Sequence, residues 1–143
     1  MARQPRFNHV AMSMPATALD ERGRADIVRF YNEVFGWDEV TQMTEDGKRL
    51  VLSAYRFDQF VFLIADDTPM AAPRMDHFGL GVETLGELDE FLARARAFAE
   101  KDERVDVVDK SAETYGPVTI TSFYVGYLLP MMLEVQHFQL VEQ

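Results

Sequence analysis

FNHVAMSM (7–14) and MDHFGLGV (75–82) are two short stretches with one shared pattern: a polar residue, a histidine, and then a run of apolar and small residues. Both stretches are rich in residues that favour β-strands. Each is followed by a segment in which apolar residues recur at helical spacing. His9 and His77 therefore open two related halves of the chain, and this repeat decides the fold.

The segments behind each histidine strand predict one helix and three further strands. In the first half, ADIVRFYNEVF (25–35) has helical spacing and Gly36 stands where a C-cap is expected, before strands at WDEVTQM (37–43), KRLVLSAYRF (48–57) and FVFLIADD (60–67). In the second half, Thr84 opens an amphipathic helix over 84–101, before strands at RVDVVDK (104–110), PVTITSFYV (117–125) and MMLEVQHF (131–138). The predicted fold class is α+β, built from two βαβββ modules.

The domain organisation follows from length and from this repeat. A chain of 143 residues suits one domain. We predict one domain over 1–143, with module 1 at about 5–68, a linker TPMAAP at about 68–73, and module 2 at about 74–140. Neither module is expected to be stable alone, because a single sheet leaves one face uncovered.

Charge and composition exclude several classes of function. The chain has 14 basic and 24 acidic residues, a net charge of −10, and no cysteine. The acidic surface disfavours nucleic acids and anionic membranes as partners, and the missing cysteines exclude disulfides and thiolate sites. The acidic segment EKDERVDVVDKSAE (100–113) is interpreted mostly as a solvated helix end and loop. No apolar run reaches membrane-spanning length and the N-terminus MARQPRFNHV does not have the apolar core of a signal peptide, so we expect a cytoplasmic protein.

The residues beside the two histidines are small. Strand alternation places His9 on one face with Ala11 and Ser13, and His77 on one face with Gly79 and Gly81. A packed core would fill such positions with large apolar side chains. The pattern therefore indicates room for a ligand next to each imidazole.

Glu134 interrupts the apolar strand MMLEVQHF, and a buried carboxylate is rare unless it is paired or binds a metal. His9, His77 and Glu134 together form the two-histidine, one-carboxylate donor set that suits Fe(II) or Mn(II), with Ni, Co or Zn as other candidates. The matching point in the first half is placed near Leu63. His137 faces away from Glu134 and is interpreted as peripheral.

The paired modules, His9-Val10 and His77-Phe78, the helix end FYNEVFGW (30–37) and Leu133-Glu134-Val135 resemble the vicinal oxygen chelate superfamily, which includes glyoxalases, bleomycin-resistance proteins and extradiol dioxygenases. The resemblance covers roughly residues 5–140. It implies an eight-stranded open barrel or cup, a homodimer, and a divalent metal that is chelated by two neighbouring substrate oxygens.

Carried over to this chain, the resemblance implies metal ligands at His9, His77 and Glu134. The family's fourth-strand ligand position falls near Leu63, and the missing carboxylate disfavours glyoxalase chemistry, since a general base is lost. The three-ligand set is similar to that of extradiol dioxygenases. A dioxygenase, a lyase and an isomerase all stay open.

Several further residues are candidates for contact with the substrate. Tyr124 and Tyr127 lie near the Glu134 strand, where extradiol relatives place a catalytic tyrosine. Tyr115 stands at a turn near the expected cavity mouth. Arg49 and Arg56 flank the third strand and could meet an anionic substrate, although exposed salt bridges are the simpler interpretation.

Two other functions fit the same sequence. One is a metal-free binding or sequestering protein of the bleomycin-resistance type, which the acidic charge and the missing fourth ligand favour. The other is a dimeric scaffold with a vestigial site. The metal-dependent enzyme is the preferred interpretation, because a binding protein has no need for two histidines and a glutamate at these positions.

Overall fold

The chain divides into two compact units in a computed structural model that describes residues 1–141. The first unit is Met1–Met70 and the second begins at Ala71, so the boundary lies inside the predicted linker. Each unit has the element order βαβββ, which confirms the predicted α+β class with two such modules. The assignment of the whole chain to one domain stays a prediction.

The first unit is a four-stranded mixed sheet with one long helix. Its elements are β1 (His9–Met14), α1 (Glu21–Phe35), β2 (Asp38–Glu39), β3 (Arg49–Ser53) and β4 (Phe60–Ala65), with short 3-10 turns at Ala16–Leu19 and Thr41–Met43. The strand order is β1-β4-β3-β2. β1 runs parallel to β4, and the other neighbours are antiparallel.

The second unit repeats this arrangement with longer strands. Its elements are β5 (His77–Gly81), α2 (Leu85–Lys101), β6 (Asp106–Tyr115), β7 (Val118–Gly126) and β8 (Met132–Leu140). The strand order is β5-β8-β7-β6, with β5 parallel to β8. In both units, therefore, the strand that opens with histidine lies beside the last strand of its own module.

The first helix begins at Glu21, earlier than the predicted start at residue 25. The reason is an N-cap: Oδ1 of Asp20 accepts a hydrogen bond from the backbone N–H of Gly23 at 2.7 Å. A Cβ at Gly23 would stand 2.2 Å from the carbonyl oxygen of Ala18, so the preceding 3-10 turn can pack this closely only against glycine. The helix ends as predicted, at Gly36 in the left-handed conformation with φ 73°.

Two strand predictions need correction. The predicted strand at 37–43 is reduced to Asp38–Glu39, because only these residues pair with β3 before the chain turns at Thr41–Met43. The strand predicted at 104–110 begins at Asp106 and, contrary to the interpretation of 100–113 as helix end and loop, continues to Tyr115, because a tight turn at Gly116 and Pro117 folds it back onto β7.

Most apolar positions of both helices are buried, as their spacing predicts, while Leu85 at the start of the second helix is exposed. Ile27, Phe30, Tyr31 and Val34 of α1 are buried, and Trp37 stacks on Tyr31 with ring centroids 5.0 Å apart. In α2 the buried residues are Leu88, Leu92, Ala95 and Phe98. Within residues 1–141, no helix has the length and apolar character needed to cross a membrane.

Candidate functional site

His9 lies at the start of β1 and is held by two neighbours. Its Nδ1 donates to Oδ1 of Asn8 at 2.7 Å, and its ring stacks on Phe60 with centroids 4.7 Å apart. Because an amide oxygen can only accept, the proton resides on Nδ1 and the neutral ring has its free lone pair on Nε2. This tautomer leaves Nε2 as a donor atom for a ligand.

His77 is held in the same tautomer by a different partner. Its Nδ1 donates to the carbonyl oxygen of Met75 at 2.8 Å, and its ring meets Tyr124 edge-on with centroids 5.2 Å apart. Its Nε2 lies 3.6 Å from Oε1 of Glu134. That distance is too long for a hydrogen bond, and the two atoms form an ion pair only when the imidazole is protonated.

Glu134 is the one charged residue that is buried in the described part of the chain, with 8% of its surface exposed. Its Oε1 accepts a hydrogen bond of 2.5 Å from Nε2 of Gln136, and the Tyr124 hydroxyl donates to the same carboxylate. Two donors from neighbouring positions therefore fix the orientation of this side chain and compensate for its burial.

Tyr124 stands directly across from Glu134 in the β7–β8 pair. The hydrogen bond to Glu134 raises the pKa of Tyr124 to about 12, with further contributions from burial and from the negative charges of Glu134 and Glu113. Its hydroxyl consequently keeps its proton at neutral pH and acts as a hydrogen-bond donor.

Gly79 pairs with Glu134 from the other side, in the β5–β8 register. A Cβ at Gly79 would stand 3.4 Å from Oε1 of Gln136, so the space that the sequence assigned to a ligand beside His77 is partly taken by Gln136. Gly81 has no atom within 4 Å of a Cβ built there, and the space beside it is open.

The register corrects the position that matches Glu134 in the first module. His77 pairs with Met132, and Glu134 lies two residues beyond. His9 pairs with Phe60, so the matching residue is Phe62 and not Leu63. A shift of one residue changes the face of the strand: Leu63 is fully buried opposite Met12, whereas Phe62 shares a face with His9.

The structure does not bring Tyr127 to this group. Tyr127 is 1% exposed, its hydroxyl donates to Oδ2 of Asp102 at 2.7 Å, and it accepts from Nη2 of Arg104 at 2.8 Å. Arg104 and Tyr127 together hold the pKa of the Asp102 carboxyl well below its usual range. The tyrosine therefore ties the end of β7 to the residue that follows α2.

The arginines named as candidates lie on the surface of the first unit. Nε of Arg49 donates to the carbonyl oxygen of Met43 at 2.8 Å, and its guanidinium lies 3.5 Å from Glu45. Arg56 is exposed in the turn between β3 and β4, where its carbonyl oxygen accepts from the N–H of Gln59. Exposed ion pairing is thus what Arg49 does in this structure.

A cavity of about 250 Å³ opens on the sheet face that carries Glu134. Tyr124, Glu134, Gln136 and Ser122 line the end near His77. Sequence reasoning missed Gln136, although its position two residues after Glu134 already placed it on the same face.

The other end of the cavity is formed by the part of the β6–β7 hairpin that is nearest the turn at Gly116. Ser111, Glu113 and Tyr115 line it from β6, and Ile120 lines it from β7. The Tyr115 hydroxyl donates to the Glu113 carboxylate, and this bond raises the pKa of Tyr115. Glu113 was missed because its segment was interpreted as loop.

The donor chemistry of His77 and Glu134 fits a divalent metal. Ligating histidines usually donate their second ring N–H to a carbonyl or carboxylate, and both predicted histidine ligands have that arrangement. Among residues 1–141, however, no group of three or more histidine and acidic side chains is arranged to hold an ion. The structure thus pairs two of the three predicted ligands.

Solved structures of known proteins match almost the entire chain. They include a lactoylglutathione lyase from Agrobacterium tumefaciens (17% identity, 95% of this chain and 96% of that one, TM-score 0.64) and a glyoxalase/bleomycin resistance protein/dioxygenase from Alicyclobacillus acidocaldarius (17%, 96% and 95%, 0.65). The fosfomycin resistance protein FosX from Listeria monocytogenes matches with 12% identity, 94% coverage of both chains and a TM-score of 0.60.

The chain has the glyoxalase-like fold. At these identities the likeness establishes the fold alone, and it confirms the resemblance at that level. Neither a protein-family model nor a curated protein matches the sequence. Within the glyoxalase-like fold, His77, Tyr124, Glu134 and Gln136 form the candidate site of the second module.

Proposed function

We propose that this protein is a metal-dependent enzyme of the vicinal oxygen chelate type, acting on a small molecule with two neighbouring oxygens. The observation that carries the proposal is the facing of Nε2 of His77 and Oε1 of Glu134 at 3.6 Å, with the imidazole proton held on the opposite nitrogen. Two acceptor atoms that face each other are stabilised by a cation between them.

His9 is the third ligand in this proposal. Its Nδ1 proton is held by Asn8, so its Nε2 presents the same donor chemistry as that of His77. The matching carboxylate position in its module holds Phe62, which has no donor atom. Two histidines and one carboxylate suit Fe(II) or Mn(II), while Ni, Co and Zn are also compatible with such donors.

The remaining residues of the proposed site orient the metal ligands and donate hydrogen bonds, while the ion polarises the substrate. A bound divalent ion acts as a Lewis acid on oxygens that it chelates. Gln136 fixes the Glu134 carboxylate through its 2.5 Å hydrogen bond. Tyr124 keeps its proton at neutral pH, so it serves as a hydrogen-bond donor or acid and not as a base. A dioxygenase, a lyase and an isomerase all fit this set of residues.

Metal binding by protein that is purified without chelators tests the proposal. Fe, Mn, Ni, Co and Zn contents and affinities are measured for wild type, His77→Ala, Glu134→Gln and His9→Ala. His137→Ala is the matched control, because His137 lies on the opposite face of β8 from Glu134. We expect one ion per chain in wild type and in the control, and at least a 100-fold loss of affinity in the other three.

Equal, weak affinity of wild type and His77→Ala for all five metals would refute the proposal and favour metal-free binding. Thermal shift then separates the two functions further. Stabilisation by metal together with catechol or a 2-oxo compound supports the enzyme, whereas stabilisation by a cationic glycopeptide without metal supports a sequestering protein. Gel filtration with light scattering tests the predicted homodimer.

A further inference from the structure

The cavity of the second module has two chemically different ends. Tyr124 and Glu134 stand at one end and Ile120 at the other. Tyr124 and Ile120 are four positions apart on β7, which corresponds to about 13 Å along the strand. Because the register places Glu113 opposite Ile120, its carboxylate belongs to the far end. We call Glu113, Tyr115 and Ile120 the distal subsite.

The distal subsite combines a carboxylate with aromatic and aliphatic surface. Glu113 is exposed and accepts one hydrogen bond, from the Tyr115 hydroxyl. A carboxylate has about four acceptor directions, so most of its capacity stays available to a ligand. Tyr115 is 59% exposed, and an aromatic ring attracts a cation that lies over its face. A carboxylate, an aromatic ring and an isoleucine side chain together suit an alkylammonium group.

The charges around the cavity point to the same ligand class. Two carboxylates, Glu113 and Glu134, line it, and no lysine or arginine side chain from residues 1–141 does so. The basic residue nearest in sequence on β6, Lys110, is bound to Asp89 of α2 at 2.5 Å. With a net charge of −10 on the chain, an anionic ligand meets repulsion throughout its approach.

We propose that the distal subsite binds a protonated amine or a quaternary ammonium group, so that the ligand of this protein is a cationic small molecule. The placement of the ligand's neighbouring oxygens at the Glu134 end rests on the proposed function. The ammonium site itself rests only on Glu113, Tyr115 and Ile120, and it requires no metal.

Catechols with one tail length and three tail ends test the ligand class. The probes are 4-alkylcatechols whose five-carbon tail, long enough to span roughly 13 Å together with the ring, ends in trimethylammonium, hydroxyl or carboxylate. Affinities are measured by calorimetry with the Mn(II)-loaded protein. We expect the ammonium-tailed probe to bind at least about tenfold more tightly than the carboxylate-tailed one, and added salt to reduce this ratio.

Three variants locate the effect. Glu113→Gln should lower the ammonium-to-carboxylate ratio at least about fivefold, and Glu113→Lys should reverse the preference. Glu100→Gln removes the same charge from an exposed position of α2 outside the cavity and should leave the ratio unchanged. Circular dichroism verifies that each variant is folded, and the neutral Glu113→Gln variant decides the case if Glu113→Lys does not fold.

A metal-free arm separates this inference from the proposed function. Binding of pentyltrimethylammonium and of hexanoate is measured on metal-free protein. Preference for the ammonium compound that is lost in Glu113→Gln supports the distal subsite even if the protein binds none of the five metals, a result that refutes the metal proposal only. Equal affinity for the two compounds, or an equal effect of Glu100→Gln and Glu113→Gln, overturns the inference.

Discussion

The two modules share one strand order but differ in the side chains beside their opening histidine. One row of paired residues crosses three strands next to each histidine: Ala11, Phe62 and Val51 in the first module, and Gly79, Glu134 and Tyr124 in the second. The first row is apolar, while the second joins a buried carboxylate to a hydroxyl that donates to it. One backbone pattern therefore supports two chemically different surfaces.

The difference extends to how each imidazole is held. His9 stacks flat on Phe60, with 7° between the ring planes, whereas His77 meets Tyr124 edge-on at 88°. Both keep their proton on Nδ1, through Asn8 in one module and the carbonyl oxygen of Met75 in the other. Both modules therefore have a histidine whose Nδ1 donates a hydrogen bond and whose Nε2 is available, whereas only the second module has a carboxylate beside it.

Glu134→Phe replaces the carboxylate of the second module by phenylalanine, the residue that the first module has at the matching position. This variant should have the largest effect. We expect affinity for Mn(II) to fall at least about 100-fold, because the carboxylate that faces His77 is removed. Competition with a fluorescent chelator measures the loss. Phe62→Leu, at the matching position of the first module, is the control and should leave the affinity unchanged. Equal affinities of wild type and Glu134→Phe would contradict the assignment.

Gln136→Leu should have the next largest effect, a loss of about 10- to 100-fold in metal affinity, as is usual when a partner of a ligand is removed. The change leaves Glu134 in place but removes the 2.5 Å hydrogen bond that orients it. Gln139→Leu, at an exposed position farther along β8, is the matched control. Urea unfolding of the metal-free proteins serves as a second readout: a loss of affinity that merely follows a loss of stability would assign Gln136 a structural role instead.

Sequence alone could predict the order of helices and strands along the chain and could place His77 and Glu134 in one candidate site. Both follow from local patterns, because a histidine beside small residues and a carboxylate inside an apolar strand are visible without tertiary structure. Gln136 was also within reach, since it lies two positions after Glu134. Strand periodicity alone does not show which face of a neighbouring strand lies beside a given residue.

The misplacement of the first-module position at Leu63 shows this limit. Counting residues between modules ignores the different lengths of their hairpins, and an error of one position moves the side chain to the other face. Glu113 was missed for another reason: the strand predicted at 104–110 ends before it, and pairing with β7 across the Gly116 turn extends that strand to Tyr115. Long-range pairing overrides local propensity in such strands.

Tyr127→Phe and Tyr124→Phe should separate structure from chemistry within the second module. Tyr127→Phe should lower the free energy of unfolding by about 1–3 kcal/mol, because Asp102 loses a buried donor. Metal affinity should not change. Tyr124→Phe should weaken metal or catechol binding with a smaller effect on unfolding. Urea titrations and calorimetry check both, and a catalytic defect in Tyr127→Phe with unchanged stability would restore the sequence-based role of Tyr127.

The smallest expected effect concerns the helix ends, where the modules also differ. The first helix ends on backbone hydrogen bonds at Gly36, whereas Asp102 follows the second and is bound by Arg104 and Tyr127. Because these partners lower the pKa of Asp102, its contribution to stability should be complete above its ordinary pKa of 3.8 and should decline as the pH falls through the lower folded value.

Urea unfolding of wild type and Asp102→Asn at several pH values measures this contribution. The stability difference should be constant from pH 7 to about pH 5 and shrink in stronger acid. Glu103→Gln, which changes the neighbouring exposed carboxylate, should show no comparable difference at any pH. A gap between wild type and Asp102→Asn that widens on acidification would show that the sign is wrong.

The parallel pairing of β5 with β8 also predicts an order of events during folding. β6, β7 and β8 are joined by short turns and can associate early, whereas β5 must wait for a partner that follows α2 and two other strands. An early intermediate would therefore contain the cavity lining and Glu134, but not the imidazole at position 77. Metal binding during refolding should therefore occur only when β5 pairs with β8, which is the last step in the folding of this module.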